Sequence, residues 1–132
     1  LVAPHVFVEE ISLASIRAVD KQYCGGNLRE KLARYHGANV DNAFRGWCDT
    51  WLNPAFLDWN MENDLHHILV PVLQFQGIED EYGTIAHAQC IEARTRGATR
   101  TCILEGCGHA PHLECSKRVL SEISQFIAEL GT

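Results

Sequence analysis

Two short apolar runs in the second half of this sequence, each followed by a polar loop and a helical pattern, constrain its fold most strongly. The first run spans residues 69–76 and stops at Gly77, and the second spans residues 101–104. Thr84 is placed to cap a helix after the first loop, and an apolar stripe along residues 116–130 predicts another helix after the second. Strand, loop and helix repeated twice is typical of a parallel sheet with crossover helices, so we expect an α/β fold.

The first half of the chain carries helical patterns instead. Three helices are predicted to begin near the candidate capping residues Ser12, Asn27 and Asn39, and a short helical turn is predicted over residues 61–67. We therefore divide the chain into three parts: residues 1–11, which lead into the helices, a helical segment over 12–66, and an αβ portion over 67–132.

Composition and charge exclude several classes of protein. The 132 residues are 46% hydrophobic and 21% charged, which is typical of one globular domain. Eleven basic against seventeen acidic residues give a net charge of −6, which argues against a nucleic-acid partner. No apolar run reaches the roughly 18 residues that a membrane span requires, and no signal-peptide pattern is visible. The six cysteines are expected to be reduced thiols of a cytoplasmic protein.

Two polar loops follow the two predicted strands, and each carries a candidate catalytic group. Asp80 lies in the first loop between Glu79 and Glu81, and His109 lies in the second between glycine and alanine. Because the carboxyl ends of parallel strands meet at one edge of a sheet, we expect these two side chains to lie close together. A carboxylate there would fix the imidazole tautomer and stabilise the imidazolium, as in a nucleophile–His–acid triad.

Other interpretations of these loops remain open from the residues alone. Asp80 is also compatible with a solvated loop carboxylate and His109 with an ordinary turn histidine, while Glu79 and Glu81 are expected at the surface. A zinc site is the third possibility, and its candidate ligands are Cys107, His109, His112 and Cys115. Their compact spacing matches none of the usual paired zinc-ligand patterns.

At these loops the sequence resembles the C-terminal half of the α/β-hydrolase family. In that family the catalytic acid follows the seventh strand in a Gly-x-x-Asp pattern, which residues 77–80 fit, and the catalytic histidine follows the eighth strand in a Gly-His-x-x-His/Pro-x-Glu setting, which residues 108–114 fit. The resemblance implies that residues 1–5 end the sixth strand and that the helical segment is the cap over the substrate pocket. The implied architecture is a partial α/β-hydrolase fold, with a short parallel sheet of the last strands, flanking helices and a helical cap.

The same resemblance implies an esterase-like hydrolase that acts on a carboxylic ester or a similar acyl substrate, with His109 as general base and Asp80 as its orienting acid and without a metal or organic cofactor. The family's nucleophile lies in a G-x-S-x-G elbow, and these 132 residues contain no such motif. We therefore expect the C-terminal portion of a hydrolase that binds its small-molecule substrate when an N-terminal half completes it.

The alternative is an inactive stand-alone domain that acts as an assembly or binding module. In both cases the open edge of the short sheet favours a homodimer or association with another chain.

Overall fold

The computed structural model describes residues 1–131, which form two compact units. One unit combines Leu1–Phe7 with the chain from Asn60 onward, and the other comprises Val8–Trp59. The first unit carries both loops that the sequence singles out, so it is the part that positions the candidate site.

The unit Val8–Trp59 is helical, as the periodicity predicts. Its helices are α1 (Glu10–Gly25), α2 (Leu28–His36) and α3 (Val40–Trp51), with single 3₁₀ turns at Gly37–Asn39 and Pro54–Phe56. Tyr23 of α1 stacks on Phe44 of α3 with ring centroids 3.7 Å apart, and both rings are buried. The prediction that Ser12 caps the first helix is wrong, because α1 begins two residues earlier and Ser12 is buried within its first turn.

The sheet of the first unit contains two parallel strands. Strand β1 (Val72–Gly77) pairs with β2 (Thr99–Leu104) in a register that places Val72 opposite Thr99 and Gly77 opposite Leu104. Strand β1 starts later than the apolar run suggests, because Pro71 has no N–H to donate and the two residues before it are exposed to solvent. Strand β2 starts two residues earlier than predicted.

The first residues of the chain pair with the opposite edge of β1. Val2 lies opposite Phe75 in parallel orientation, and the Ala3 amide donates to the Phe75 carbonyl over 2.9 Å. The expected strand through residue 5 is shorter than predicted, because Ala3 has a φ of 43° and this takes the backbone out of the extended region. Residues 1–3 therefore act as the third element of the sheet, on the far side of β1 from β2.

Three helices complete this unit, together with a 3₁₀ turn at Leu65–His67: α4 (Ile85–Arg94), α5 (Pro111–Glu114) and α6 (Ser116–Leu130). The predicted cap at Thr84 is confirmed, since its hydroxyl accepts from the Ala86 amide over 3.2 Å. The short helix α5 was not predicted, and Pro111 at its first position favours the start of a helix. None of the helices within residues 1–131 is long and apolar enough to cross a membrane.

The core of this unit lies between one face of the sheet and α6. Its buried members are Leu73, Phe75, Cys102, Leu104, Cys107 and Val119. The apolar stripe of α6 is only partly used: Ile123 and Phe126 pack against this core, whereas Leu120, Ile127 and Leu130 remain more than half exposed. The predicted helix is confirmed, and part of its apolar stripe stays exposed because the two-stranded sheet is too narrow to cover the whole face of the helix.

Candidate active site

Asp80 lies just past the end of β1, at the edge of the sheet. There the backbone of its loop lies in close contact with the loop that follows β2. The Glu79 amide donates to the Cys107 carbonyl over 3.0 Å. A Cβ atom added at Gly77 would lie 2.1 Å from that same carbonyl oxygen and 2.3 Å from the oxygen of Gly108. Only glycine allows the two loops to approach this closely, so Gly77 fixes the distance between the segments that carry Asp80 and His109.

The Asp80 carboxylate is buried and accepts hydrogen bonds from three groups of its own loop and strand. The amides of Tyr82 and Gly83 donate to Oδ1 over 2.8 and 3.3 Å, and Gln76 Nε2 donates to Oδ2 over 2.8 Å. Burial alone would raise the pKa of this carboxyl, but the hydrogen bonds from His109, the Tyr82 amide and Gln76 outweigh it and hold the pKa below the ordinary value of 3.8. Asp80 is therefore a charged acceptor at neutral pH.

His109 provides a further hydrogen-bond donor to that carboxylate. Its Nδ1 lies 3.0 Å from Oδ1 and 3.0 Å from Oδ2 of Asp80. A carboxylate accepts only, so the shared proton resides on Nδ1, and in the neutral form of the ring this leaves the lone pair on Nε2. The His109 side chain is 40% exposed, whereas that of Asp80 is 1% exposed. The pair thus has a buried carboxylate and an accessible imidazole.

Glu114 holds the loop on both sides of His109. Its Oε2 accepts from the Gly108 amide over 2.7 Å, and its Oε1 accepts from the Ala110 amide over 2.9 Å. These two backbone hydrogen bonds lower the pKa of Glu114 below its usual value. One carboxylate therefore fixes the backbone directly before and directly after the histidine.

Two further rings lie beside His109, and neither of them was predicted from the sequence. Tyr82 lies 4.8 Å from His109 between ring centroids, and His5 lies 5.8 Å away in an edge-on arrangement. His5 also contacts the buried ring of His87, 4.7 Å away, whose Nδ1 accepts from the Val6 amide. His5 is the last residue of the stretch 1–5 that the resemblance assigns to the end of a strand, and that position was the available signal.

Three further predictions about these loops can be compared with the structure. The structure brings Asp80 and His109 together, as their positions after adjacent parallel strands predict, and it places Glu79 and Glu81 on the surface. Within residues 1–131 no group of three or more His, Cys, Asp or Glu side chains is placed to hold a metal ion, which leaves the zinc alternative without support. Cys107, one of its candidate ligands, is buried, and burial followed by a hydrogen bond with Cys115 raises its pKa to about 12.

Comparisons with known proteins agree with this geometry at the level of the fold. No protein-family model matches the sequence, and no curated protein is similar to it in sequence. Among solved structures, it is similar to an esterase from Rhodococcus sp. ECU1013, with a TM-score of 0.50 and 19% identity over 88% of this chain and 41% of that one. It is also similar to a proline iminopeptidase from Mycobacterium smegmatis, with a TM-score of 0.53 and 18% identity over 91% of this chain and 47% of that one.

The chain therefore spans less than half the length of these two structures, while nearly all of it is matched by them. Its fold is that of part of an α/β-hydrolase, consistent with the C-terminal half of that fold. The resemblance noted in the sequence is thus confirmed for the fold.

Proposed function

We propose that this chain supplies the acid–base half of a hydrolytic Ser–His–Asp site, with His109 as general base and Asp80 as the acid that orients it. The observation that carries the proposal is the contact of His109 Nδ1 with both carboxylate oxygens at 3.0 Å, with the acid buried and the histidine accessible. This arrangement supports the proposal because a general base has to be held in place on one side and reachable by its proton donor on the other.

The roles of Asp80 and His109 follow from where the proton lies on the imidazole ring. The buried Asp80 charge keeps the proton on Nδ1, so Nε2 is free to take a proton from a nucleophile on the exposed side of the ring. The imidazolium formed in that step is stabilised by the same carboxylate, and it then returns the proton to the leaving group. The nucleophile and the amides that stabilise the oxyanion come from chain outside these 132 residues, because no G-x-S-x-G elbow occurs within them.

We propose a carboxylic ester or a similar small acyl compound as the substrate class. Both similar structures are hydrolases of acyl bonds by their names, one an esterase and the other a proline iminopeptidase. The cap that the resemblance implies for residues 12–66 is part of the proposal, and the helices of that segment support it. The expected reaction is hydrolysis through an acyl intermediate, which requires no metal or organic cofactor.

The test is the activity of the complete gene product that contains these residues. We expect hydrolysis of p-nitrophenyl esters, covalent labelling of a serine by an organophosphonate, and a loss of kcat/KM of at least about a thousandfold in His109→Ala. His112→Ala is the matched control, because His112 lies three positions later on the exposed side of α5 and should retain activity.

Two results would contradict the proposal. The first is a complete product whose ester hydrolysis is unchanged by His109→Ala. The second is rapid ester hydrolysis by the isolated 132-residue chain that disappears in His109→Ala, because the chain alone would then contain its own nucleophile.

A second candidate, an assembly module, is favoured by the apolar groove at the edge of the sheet. The groove has a volume of about 390 Å³ and is lined by Leu1, Val2, Pro71, Val72, Leu73, Phe75, Ile123 and Phe126. Burial of such a surface between two copies would stabilise a homodimer. Light scattering of the purified chain tests this, and a monodisperse monomer would count against it.

A further inference from the structure

Strand β1 buries two glutamines on one face, which is unusual for the inside of a short parallel strand. Gln74 and Gln76 are two positions apart and therefore point to the same side of the sheet, opposite the core that α6 covers. Both are essentially inaccessible to solvent. Burying an amide is unfavourable unless it forms hydrogen bonds, and methionine would fill the same space without that desolvation. Each glutamine therefore needs a reason beyond packing.

The contacts of Gln76 are directed at the loop that carries the acid. Its Nε2 donates to Asp80 Oδ2 over 2.8 Å and to the Gly83 carbonyl over 3.2 Å. Because two of its neighbours are oxygens that can only accept, the nitrogen must occupy this position and the amide cannot be flipped. Its Oε1, by contrast, is buried and has no hydrogen-bond partner among residues 1–131. The NH₂ group of Gln76 therefore forms hydrogen bonds to two acceptors, whereas its carbonyl oxygen accepts none from residues 1–131.

The geometry points to Gln76 as a positioning residue that acts through Asp80: its amide fixes the carboxylate in the plane in which both oxygens reach His109 Nδ1. Asp80 Oδ1 is held by the amides of its own loop, and Gln76 provides the only donor besides His109 that the described residues offer to Oδ2. Without Gln76, the only donor left to Oδ2 among the described residues is His109, the ring that the carboxylate has to orient. This inference rests on the proposed function, since orienting Asp80 matters where Asp80 orients a base.

Gln74 provides an internal comparison. It lies on the same strand and the same face and is equally buried, but its Nε2 donates to the Ala88 carbonyl and to the Thr101 hydroxyl, each over 2.8 Å. These partners belong to α4 and β2, so Gln74 joins the helix to the sheet. A substitution at either glutamine removes one buried amide, but only the one at Gln76 removes a donor from the carboxylate.

The experiment is the titration of the Asp80 carboxyl carbon by ¹³C NMR in the wild-type chain, in Gln76→Met and in Gln74→Met. A hydrogen bond to a charged acceptor is worth enough that its loss should lower the acid dissociation constant of Asp80 about tenfold in Gln76→Met. We expect less than a twofold change in Gln74→Met. The titratable groups around Asp80 are the same in all three proteins, namely His109, Tyr82, Glu81, Cys107 and Glu114.

A measurement on the wild-type chain covers the case in which Gln76→Met does not fold. The side-chain NH₂ protons of Gln76 should shift with the same midpoint as the Asp80 carboxyl, and those of Gln74 should not. A folded Gln76→Met protein whose Asp80 dissociation constant stays within twofold of wild type would overturn the inference, as would Gln76 NH₂ signals that do not follow Asp80.

The readout also separates this inference from the proposed function. The titration of Asp80 requires no substrate and no nucleophile, so it reports the Gln76 contact alone. Loss of the proposed function would appear instead as unchanged activity in His109→Ala of the complete product, whatever the titration shows.

Discussion

The substitution Asp80→Asn tests the core of the candidate site, because it changes the charge of the acid but not its size. In the wild-type chain the carboxylate accepts from the Tyr82 and Gly83 amides on Oδ1, from Gln76 on Oδ2 and from His109 on both oxygens. An asparagine oxygen can keep the two backbone donors. Its NH₂ group would then face two other donors, Gln76 Nε2 and the protonated Nδ1 of His109.

The expected loss of stability follows from the number of hydrogen bonds that the substitution removes. Two hydrogen bonds to a charged acceptor disappear, each worth about 1.5–3 kcal/mol, so the free energy of unfolding at pH 7 should fall by about 3 kcal/mol. No discount for solvent screening applies, since the Asp80 side chain is only 1% exposed. Glu79→Gln is the matched control on the same loop: its side chain is exposed, and the change should stay within about 0.5 kcal/mol.

The difference between the two proteins should depend on pH in a defined direction. The folded-state pKa of Asp80 is lowered, because hydrogen bonds from His109, Tyr82 and Gln76 outweigh the effect of burial. The unfolded chain therefore binds the proton first, at about pH 3.9. The stability that Asp80 contributes is fully present above that pH and is lost as the pH falls through the lower, folded-state pKa. Asp80→Asn has no proton to bind, so its deficit should shrink over this acidic range.

The assay is urea unfolding at several pH values, followed by far-ultraviolet circular dichroism and by amide exchange at β1 and β2. Tryptophan fluorescence is unsuitable, because all three tryptophans, Trp47, Trp51 and Trp59, lie in the other unit, Val8–Trp59. A deficit below about 0.5 kcal/mol at pH 7, or one that stays constant down to pH 3, would refute the reasoning.

Three further outcomes follow from the same structure. Gly77→Ala should destabilise the sheet unit by about 3 kcal/mol, because the new methyl would meet the Cys107 carbonyl oxygen at 2.1 Å. The control Gly46→Ala has open space around the new methyl and should stabilise α3 by about 0.5–1 kcal/mol; urea unfolding measures both. Glu114→Gln should speed amide exchange several-fold at the two backbone amides that its carboxylate holds, and unchanged exchange would show that the loop is held otherwise. Iodoacetamide at pH 8 should modify the exposed Cys24 well before Cys107, because burial raises the pKa of the Cys107 thiol to about 12. Peptide mapping by mass spectrometry measures the order of modification, and earlier modification of Cys107 would contradict this prediction.

Local patterns in the sequence were sufficient for the two strands and the longer helices, though not for their bounds, and for the meeting of Asp80 with His109. The 3.6-residue periodicity of α6 and the mostly apolar run that ends at Gly77 are properties of neighbouring residues, so both elements could be predicted without knowing the fold. Asp80 and His109 could be paired in advance because both follow parallel strands, and such strands end at one edge of a sheet.

The sequence could not reveal which apolar residues would be covered or which polar residues would be buried. Leu120, Ile127 and Leu130 belong to the stripe of α6 but stay exposed, because burial depends on the width of the sheet opposite them. Gln76 reads as an interruption of an apolar strand, and its role depends on a loop that turns back over it.

The sequence by itself therefore determined the order of the two strands, their loops and the longer helices, and it singled out Asp80 and His109 as loop residues that would meet. Only the tertiary structure decided the contacts that tune them: the glycine that lets two loops touch, the carboxylate of Glu114 that braces the histidine, and the amide that orients Asp80. The physical reason is the separation along the chain of the residues that interact. Helical and strand periodicity arise within a few residues, whereas hydrogen bonds around a buried charge join segments up to about thirty residues apart, and their geometry exists only once the chain has folded.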